Sequence, residues 1–266
     1  QPRRLAAAPR PARRGRGRSV PPEGGPGCGP QAPAPVARER GDPPPARRAR
    51  DGEPAAVLRR GGVPEAALHE IPPPHEPATG RRQRDETIDT IAVCEHPPTI
   101  TLGRNAPGSD LLLGREEIDR RGIAVVQSDR GGRATYHGPG QAVVYPIVAI
   151  GQRGIKTKCW VALLEEAIVE MLDGLGIQST AALNGPGVWA KGGKIASLGL
   201  RIDRGVSYHG LSVNVDLDVE PFDCIVTCGV ASQPVTTVEM ESGRTQSTEA
   251  VAGLVSSAID RRLQQS

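Results

Sequence analysis

The sequence predicts an α/β domain of the α+β kind, a mixed sheet covered by a few helices, behind a long N-terminal prefix. Three observations predict it. Short apolar, β-branched runs recur from residue 87 onward between Gly- and Pro-containing breaks, which is the pattern of strands. Trp160–Leu175 instead sets Val161, Leu164, Ile168, Met171, Leu172 and Leu175 at helical spacing with acids between them, the stripe of an amphipathic helix. Composition also breaks near residue 80. Residues 1–80 hold 18 of the 26 prolines, 14 Arg, no Lys and 8 acids, a net of +6, whereas residues 81–266 hold 19 basic and 22 acidic residues, a net of −3. The excess of positive charge thus belongs to the prefix and is no argument for nucleic acid as a partner of the rest.

The elements follow in order. Residues 1–83 are too rich in Pro, Arg, Gly and Ala to bury much apolar surface, so they read as disordered. Their arginine-rich start faintly resembles an organellar transit peptide, but its prolines oppose the amphipathic helix such a peptide needs. Order is expected from Asp85. Thr87–Cys94 reads as a strand broken by Glu95-His96-Pro97-Pro98, because proline cannot continue a ladder. Thr99–Leu102 is a second strand, Gly114–Arg121 a short helix, and Ile123–Val126 a third strand. A polar, glycine-dense turn from Arg130 to Gly140 leads into an apolar strand, Ala142–Ile150. After the helix at Trp160–Leu175, Gly187–Ala190, Lys194–Ile202 and Val206–Val215 read as strands, and Ser247–Leu263 as a closing helix.

Several function classes are disfavoured. No apolar run approaches the roughly 20 residues needed to span a bilayer. The five cysteines, at positions 28, 94, 159, 224 and 228, are odd in number and unpaired in spacing, which points to reduced thiols in a cytosol-like compartment. No spaced Cys/His set suggests zinc, so no metal is expected.

Chemistry-bearing residues cluster in three places. Cys228 follows the apolar run Ile225-Val226-Thr227 and precedes Gly229, a position that can present a thiol beside main-chain N–H groups; the plain alternative is a small buried hydrophobe. Lys194 opens an apolar strand in Lys191-Gly-Gly-Lys194-Ile-Ala-Ser-Leu-Gly199. A lysine there is either desolvated and used, or lies at a strand edge with its ammonium in water. A phosphate-cradling reading of Gly192-Gly193-Lys194 is weaker, since the P-loop spacing is absent. In the turn after Ser128, Arg130, Arg133, His137 and Gln141 crowd a bend that needs only glycine, so it is either a ligand-wrapping loop or a plain hairpin.

These segments together resemble a known family. Glu95-His96-Pro97-Pro98-Thr-Ile-Thr-Leu-Gly103-Arg104, then Arg130-Gly-Gly-Arg-Ala-Thr135-Tyr-His137-Gly-Pro-Gly-Gln141-x-Val-x-Tyr145-Pro146, are similar to the signature of the octanoyltransferases of lipoate biosynthesis. Lys194-Ile-Ala-Ser-Leu-Gly-Leu-Arg201, His209-Gly-Leu-Ser-Val-Asn214-Val and Phe222…Cys228-Gly229 follow in the family's order. The resemblance spans residues 84–266 and implies one catalytic domain with the biotin/lipoate protein ligase-like fold.

It implies that Cys228 accepts octanoyl from acyl carrier protein as a thioester. The acyl group then passes to a lysine of lipoyl domains of 2-oxoacid dehydrogenase complexes or of the glycine cleavage H protein. Lys194 is the implied partner of Cys228. The implied acyl pocket comprises Arg130, Gly131, Gly132, Arg133, Ala134, Thr135, Tyr136 and His137, then Ser197, Leu198 and Gly199, then Gly210, Leu211 and Ser212. The expected protein is a monomeric cytoplasmic acyltransferase (mitochondrial as the alternative), without a cofactor of its own and without a nucleic-acid or membrane partner. The competing readings are an ATP-dependent ligase sibling, which needs no nucleophilic cysteine, and an inactive relative that only binds.

Two departures stand out. Thr227 occupies a position where the family usually has Pro, and Cys224 is an unusual thiol near the nucleophile. The family's first strand and aromatic-containing helix also find no counterpart in residues 1–80, so the prefix is expected to derive from a displaced start of translation.

Overall fold

The structure, a computed structural model, describes residues 56–59, 76–181, 185–227 and 233–265. In chain order the elements are β1 (Ala56–Arg59), α1 (Glu76–Gln83), β2 (Thr90–Cys94), β3 (Thr99–Leu102), α2 (Arg115–Arg120), β4 (Ala124–Gln127), β5 (Ala134–His137) and β6 (Gln141–Ile147). They continue with α3 (Thr157–Gly174), β7 (Thr180–Ala181), β8 (Gly187–Ala190), β9 (Gly193–Asp203), β10 (Val206–Asn214), α4 (Val238–Ser242) and α5 (Thr248–Leu263). The α+β reading holds, but the strands form two sheets rather than one. The larger has seven strands in the order β1-β2-β6-β10-β9-β8-β7, and the smaller runs β4-β3-β5.

Each sheet has its own core. Apolar residues of β2, β6, β9 and β10 meet the stripe of α3 and one face of α5, and Ile91, Val144, Leu164, Ile168, Leu172, Ile195 and Ile259 are fully buried there. Trp160 at the start of α3 buries its indole and donates to Ser207 Oγ at 2.8 Å, which satisfies the one polar atom that burial would otherwise penalise. The smaller sheet packs Ile100, Ile118 and Tyr136 against Phe222, Cys224 and Ile225.

Two expectations about the chain's path need correction. The segment 130–140 is not one continuous turn. Ala134–His137 forms β5, paired antiparallel with β3 through Thr99↔His137 and Thr101↔Thr135. The bend itself is Gly138-Pro139-Gly140, where Gly140 has φ +86 and a side chain would meet Asp216 and Leu217 at 2.7 Å, so only glycine fits. The second correction is upstream. Residues 56–59 lie parallel to β2 in register Ala56↔Thr90, and α1 is already formed before Asp85. Arg82 of α1 is 5% exposed and donates to Asp89 Oδ1 at 2.8 Å, Asp85 Oδ1 at 2.7 Å and Gln152 Oε1 at 2.8 Å. Asp89 also accepts from Arg153 Nε at 2.8 Å and from the Ala149 N–H at 2.9 Å. Burial alone would raise the Asp89 carboxyl, but these donors outweigh it and hold it low. The residues before Asp85 therefore do supply a strand and a helix. Composition hid them because α1 is tied by a single buried charged residue and β1 by main-chain pairing. Among the described residues no helix is long and apolar enough to cross a membrane.

Candidate functional site

Lys194 is the second residue of β9, and its main chain is held on both sides. Its N–H donates to Pro234 O at 2.8 Å, and its carbonyl accepts from Thr236 N–H at 3.1 Å. That close approach needs Gly193, whose φ of +145 brings it against the Pro234 carbonyl. Gly192 N–H donates to Glu241 Oε1 at 2.8 Å, so the two glycines make a strand crossing and not a phosphate cradle. The side chain is 2% exposed. Its Nζ donates to Pro186 O at 3.2 Å and lies 4.9 Å from the centroid of the Trp189 ring. The reading of a solvated edge lysine is overturned. The amine is held here by a carbonyl and an aromatic face, away from water.

Cys228 lies outside the described residues, as do 229–232. Its flanks are firmly placed. Upstream, Val226 N–H donates to Asp110 O at 2.8 Å, Leu111 and Ile225 form a bridge, and Thr227 is buried. Downstream, Val235 bridges Lys194 in parallel. The chain thus leaves Thr227 and returns, six residues beyond Cys228, directly onto the backbone of Lys194.

The remaining thiols fall into distinct environments. Burial, followed by the Glu95 charge, pushes the Cys94 thiol up to about 12, which leaves almost no thiolate at neutral pH. Cys224 is 1% exposed in the smaller core, and burial raises its thiol against the opposing charge of Arg121. Cys159 is disulfide-bonded, so the expectation of five reduced thiols fails for that residue.

The three segments expected to form an acyl slot do come together. Gly210, Leu211 and Ser212 on β10 stand directly opposite Gly199, Leu198 and Ser197 on β9. The glycine loop lies across them, with Gly131 N–H donating to Leu200 O at 2.9 Å. A side chain at Gly199 would meet Arg130 Cδ at 3.0 Å. Arg130 itself turns inward, to Thr101 O at 2.7 Å, Thr101 Oγ1 at 2.8 Å and Gly131 O at 3.0 Å, so it shapes the loop from beneath. Arg133 pairs with the fully buried Asp110, with Nε 3.0 Å from Oδ2. Asp110 is the residue whose carbonyl holds Val226, so Arg133 braces the approach to Cys228. Ala134, Thr135 and Tyr136 are buried in β5, and Gly132 is exposed.

His137 links this loop to the lysine. Its Nδ1 lies 2.7 Å from Gln141 Oε1, while Gln141 Nε2 donates to Asn214 Oδ1 at 2.9 Å. Asn214 Nδ2 donates to Thr236 O at 3.1 Å, and Thr236 N–H donates to the Lys194 carbonyl at 3.1 Å. With the Gln141 amide committed to Asn214, the network assigns the imidazole proton to Nδ1. Burial, then the neighbouring charges of His96 and Arg130, push His137 down to about 3, so it is a neutral imidazole at physiological pH. His96 packs beside it with ring centroids 5.7 Å apart and pairs with Tyr145 Oη at 2.7 Å.

His209, at φ +55 on β10, instead binds Asp129 Oδ1 at 2.5 Å, and Asp129 also takes Tyr208 Oη at 3.1 Å. Asp110, Asp129 and Glu165 were not singled out from sequence. Only Glu165 carried a signal, since it shares the stripe of Val161, Ile168 and Leu172 on α3 and is 5% exposed. A cleft of about 730 Å³ between α3 and β7, lined by Glu166, Glu170, Asp173 and Arg262, includes none of these groups.

Comparisons with known proteins agree with this architecture. The family model of the lipoyl protein ligase A/B catalytic domain matches residues 77–260. The chain is 42% identical to an octanoyltransferase of Chloroflexus aurantiacus over 174 residues, 64% of this chain and 78% of that protein. It is 46% identical to an octanoyltransferase of Alkalilimnicola ehrlichii over 162 residues, 59% of this chain and 72% of that one. Among solved structures, protein Ta0514 of T. acidophilum with bound lipoic acid superposes with a TM-score of 0.61 at 14% identity, covering 79% of this chain and 86% of that one. Lipoate-protein ligase A bound with ATP gives 0.52, also at 14% identity, over 80% and 85%.

Proposed function

This chain belongs to the lipoyl protein ligase A/B catalytic-domain family and is an octanoyltransferase, and from that premise we propose that it works through a Cys228 thioester. The observation that carries this reading is Lys194: an ammonium with 2% exposure whose main chain is bonded to residues 234–236, just beyond Cys228. A cation held there favours the thiolate of a nearby cysteine. The alternative nucleophiles Cys94 and Cys224 are both raised by burial.

The first half-reaction is thioester exchange. The Cys228 thiolate adds to the octanoyl carbonyl on acyl carrier protein, the bond to the phosphopantetheine sulfur breaks, and that sulfur leaves as a thiol after taking the proton of Lys194, which is left as a neutral amine. In the second half the ε-amine of a lipoyl-domain lysine attacks the Cys228 thioester. The C–N bond forms, the C–S bond breaks, and the amine's proton passes to Lys194 as general base. Gly199 and Gly210 let the loop 130–132 and the neighbouring β6 pack closely onto β9 and β10, and the acyl chain is assigned to the surface formed by the segments 130–137, 197–199 and 210–212. The acyl group arrives on the carrier's phosphopantetheine, so the reading invokes no cofactor of the protein's own.

Intact-protein mass spectrometry tests the mechanism. Mixed with octanoyl-acyl carrier protein, the wild type should gain one octanoyl group, discharge it to a lipoyl domain, and lose both abilities as Cys228→Ser. Catalysed transfer without a covalent adduct would overturn the thioester mechanism. ATP-dependent transfer of free octanoate would favour the ligase chemistry named for the superposed ligase.

A further inference from the structure

Glu165 has no part in the reaction as described, although it is an acid buried in the apolar stripe of α3. Its Oε1 accepts from Gly187 N–H at 2.9 Å. The carbonyl of that same peptide unit, Pro186 O, accepts from Lys194 Nζ at 3.2 Å. One peptide group therefore joins the two buried side chains, donating to the carboxyl at one end and accepting from the ammonium at the other. Gly187 is essential to this bridge. Its φ is +147, and a side chain there would meet Lys194 Cε at 2.6 Å and Ala196 O at 2.7 Å. Across the ladder, Trp189 stands opposite Lys194 and supplies the aromatic face.

We propose that Glu165 is a positioning residue for Lys194, fixing the Pro186–Gly187 peptide so that its carbonyl aims the ammonium at the site. The inference rests on the role given to Lys194 above. What the bridge requires of residue 165 is an acceptor at the end of a side chain of glutamate length. A peptide left without that acceptor is free to rotate, and its carbonyl takes Lys194 Nζ with it. Other acids of α3 do not substitute. Glu166 and Glu170 face α5, where they pair with Arg262 and Arg261.

The test uses the full chain, with the rate of octanoyl loading onto Cys228 from octanoyl-acyl carrier protein as readout. Glu165→Ala should lower the maximal loading rate by about 10- to 100-fold, as displacement of a reacting group by an ångström does, with the KM for octanoyl-acyl carrier protein unchanged. Glu165→Gln keeps length and acceptor and should restore loading to within about threefold of wild type, which a packing or charge role would not predict. Glu165→Asp keeps the charge but withdraws the acceptor from Gly187 N–H, serves if Glu165→Ala does not fold, and should give the same rate-selective loss. Glu165→Ala or Glu165→Asp loading at the wild-type rate overturns the proposal, as does Glu165→Gln matching Glu165→Ala. Lys194→Met separates the two readings. If it loads normally, the role of Lys194 itself is wrong. If it fails while Glu165→Ala is normal, only the bridge is wrong.

Discussion

Arg82 and Lys194 are both cations sealed from solvent, at 5% and 2% exposure, yet the protein treats them in opposite ways. Arg82 is enclosed by carboxylates and an amide, and its main partner Asp89 is shared with Arg153. That charge is neutralised locally and its geometry is fixed, so it fastens α1 to the strands. Lys194 is given a carbonyl, an indole face and a carboxyl one peptide away. Such an arrangement tolerates the cation without cancelling it, which suits a charge meant to act on another group. Burial alone does not distinguish a fastener from a tool; the identity of the partners does.

The comparison can be broken most sharply at Lys194. Lys194→Met should lower octanoyl loading by about 10²- to 10⁴-fold while the thermal midpoint holds or rises, because an apolar side chain of similar volume suits a buried site at least as well as an ion. A large loss of stability would show that Lys194 is a fastener too. Asp89→Asn should do the reverse. Removing one charge from a buried, shared pair costs about 3 kcal/mol, read by urea unfolding, while the folded fraction keeps its loading rate.

Acid titration sharpens the contrast. Asp89 is held below its unfolded value, so its contribution is present above about pH 4 and is lost as pH falls through the folded value. His137, held at about 3 in the fold, acts in a different window. An unfolded histidine takes up its proton near pH 6.5, so stability falls as pH drops from about 6.5 toward about 3, by at most about 1.4 kcal/mol per pH unit. His137→Asn should flatten part of that slope in urea midpoints measured against pH, leaving the shares of His96 and His209, which burial also lowers. An unchanged slope would place a proton on His137 in the fold. The smallest effect is expected at the rim of α3 and α5. There Arg262 lies 2.6 Å from Glu166, with exposures of 29% and 61%. Arg262→Ala should cost about 0.5 kcal/mol and less in high salt.

The sequence made the regular elements legible wherever apolar period or proline punctuation was strong. Strands 99–102 and 187–190 appear with the expected limits, and the helix expected at 160–175 runs 157–174. It was silent where a fold element rests on pairing with a distant strand. β1 is four residues with no pattern of its own, β7 is two, and β5 was hidden by glycines that serve the bends on either side of it. At the site, Lys194 was visible as a lysine opening an apolar run. Its partners were not, because Pro186, Trp189 and Glu165 reach it from the turn before β8, from β8 itself and from α3. Asp110 and Asp129 look like ordinary loop acids until folding sets one beneath Arg133 and the other against His209.

The contact between Gly199 and Arg130 also has a genetic meaning. Arg130 Cδ sits 3.0 Å from where a side chain at position 199 would begin, so one volume is shared between two distant positions. Substitutions at the two sites should therefore not be independent. An alanine at 199 harms a background that keeps the arginine, and it becomes tolerable once residue 130 is shortened. In a library of paired variants, that suppression would mark the loop and the strand as a single unit of selection.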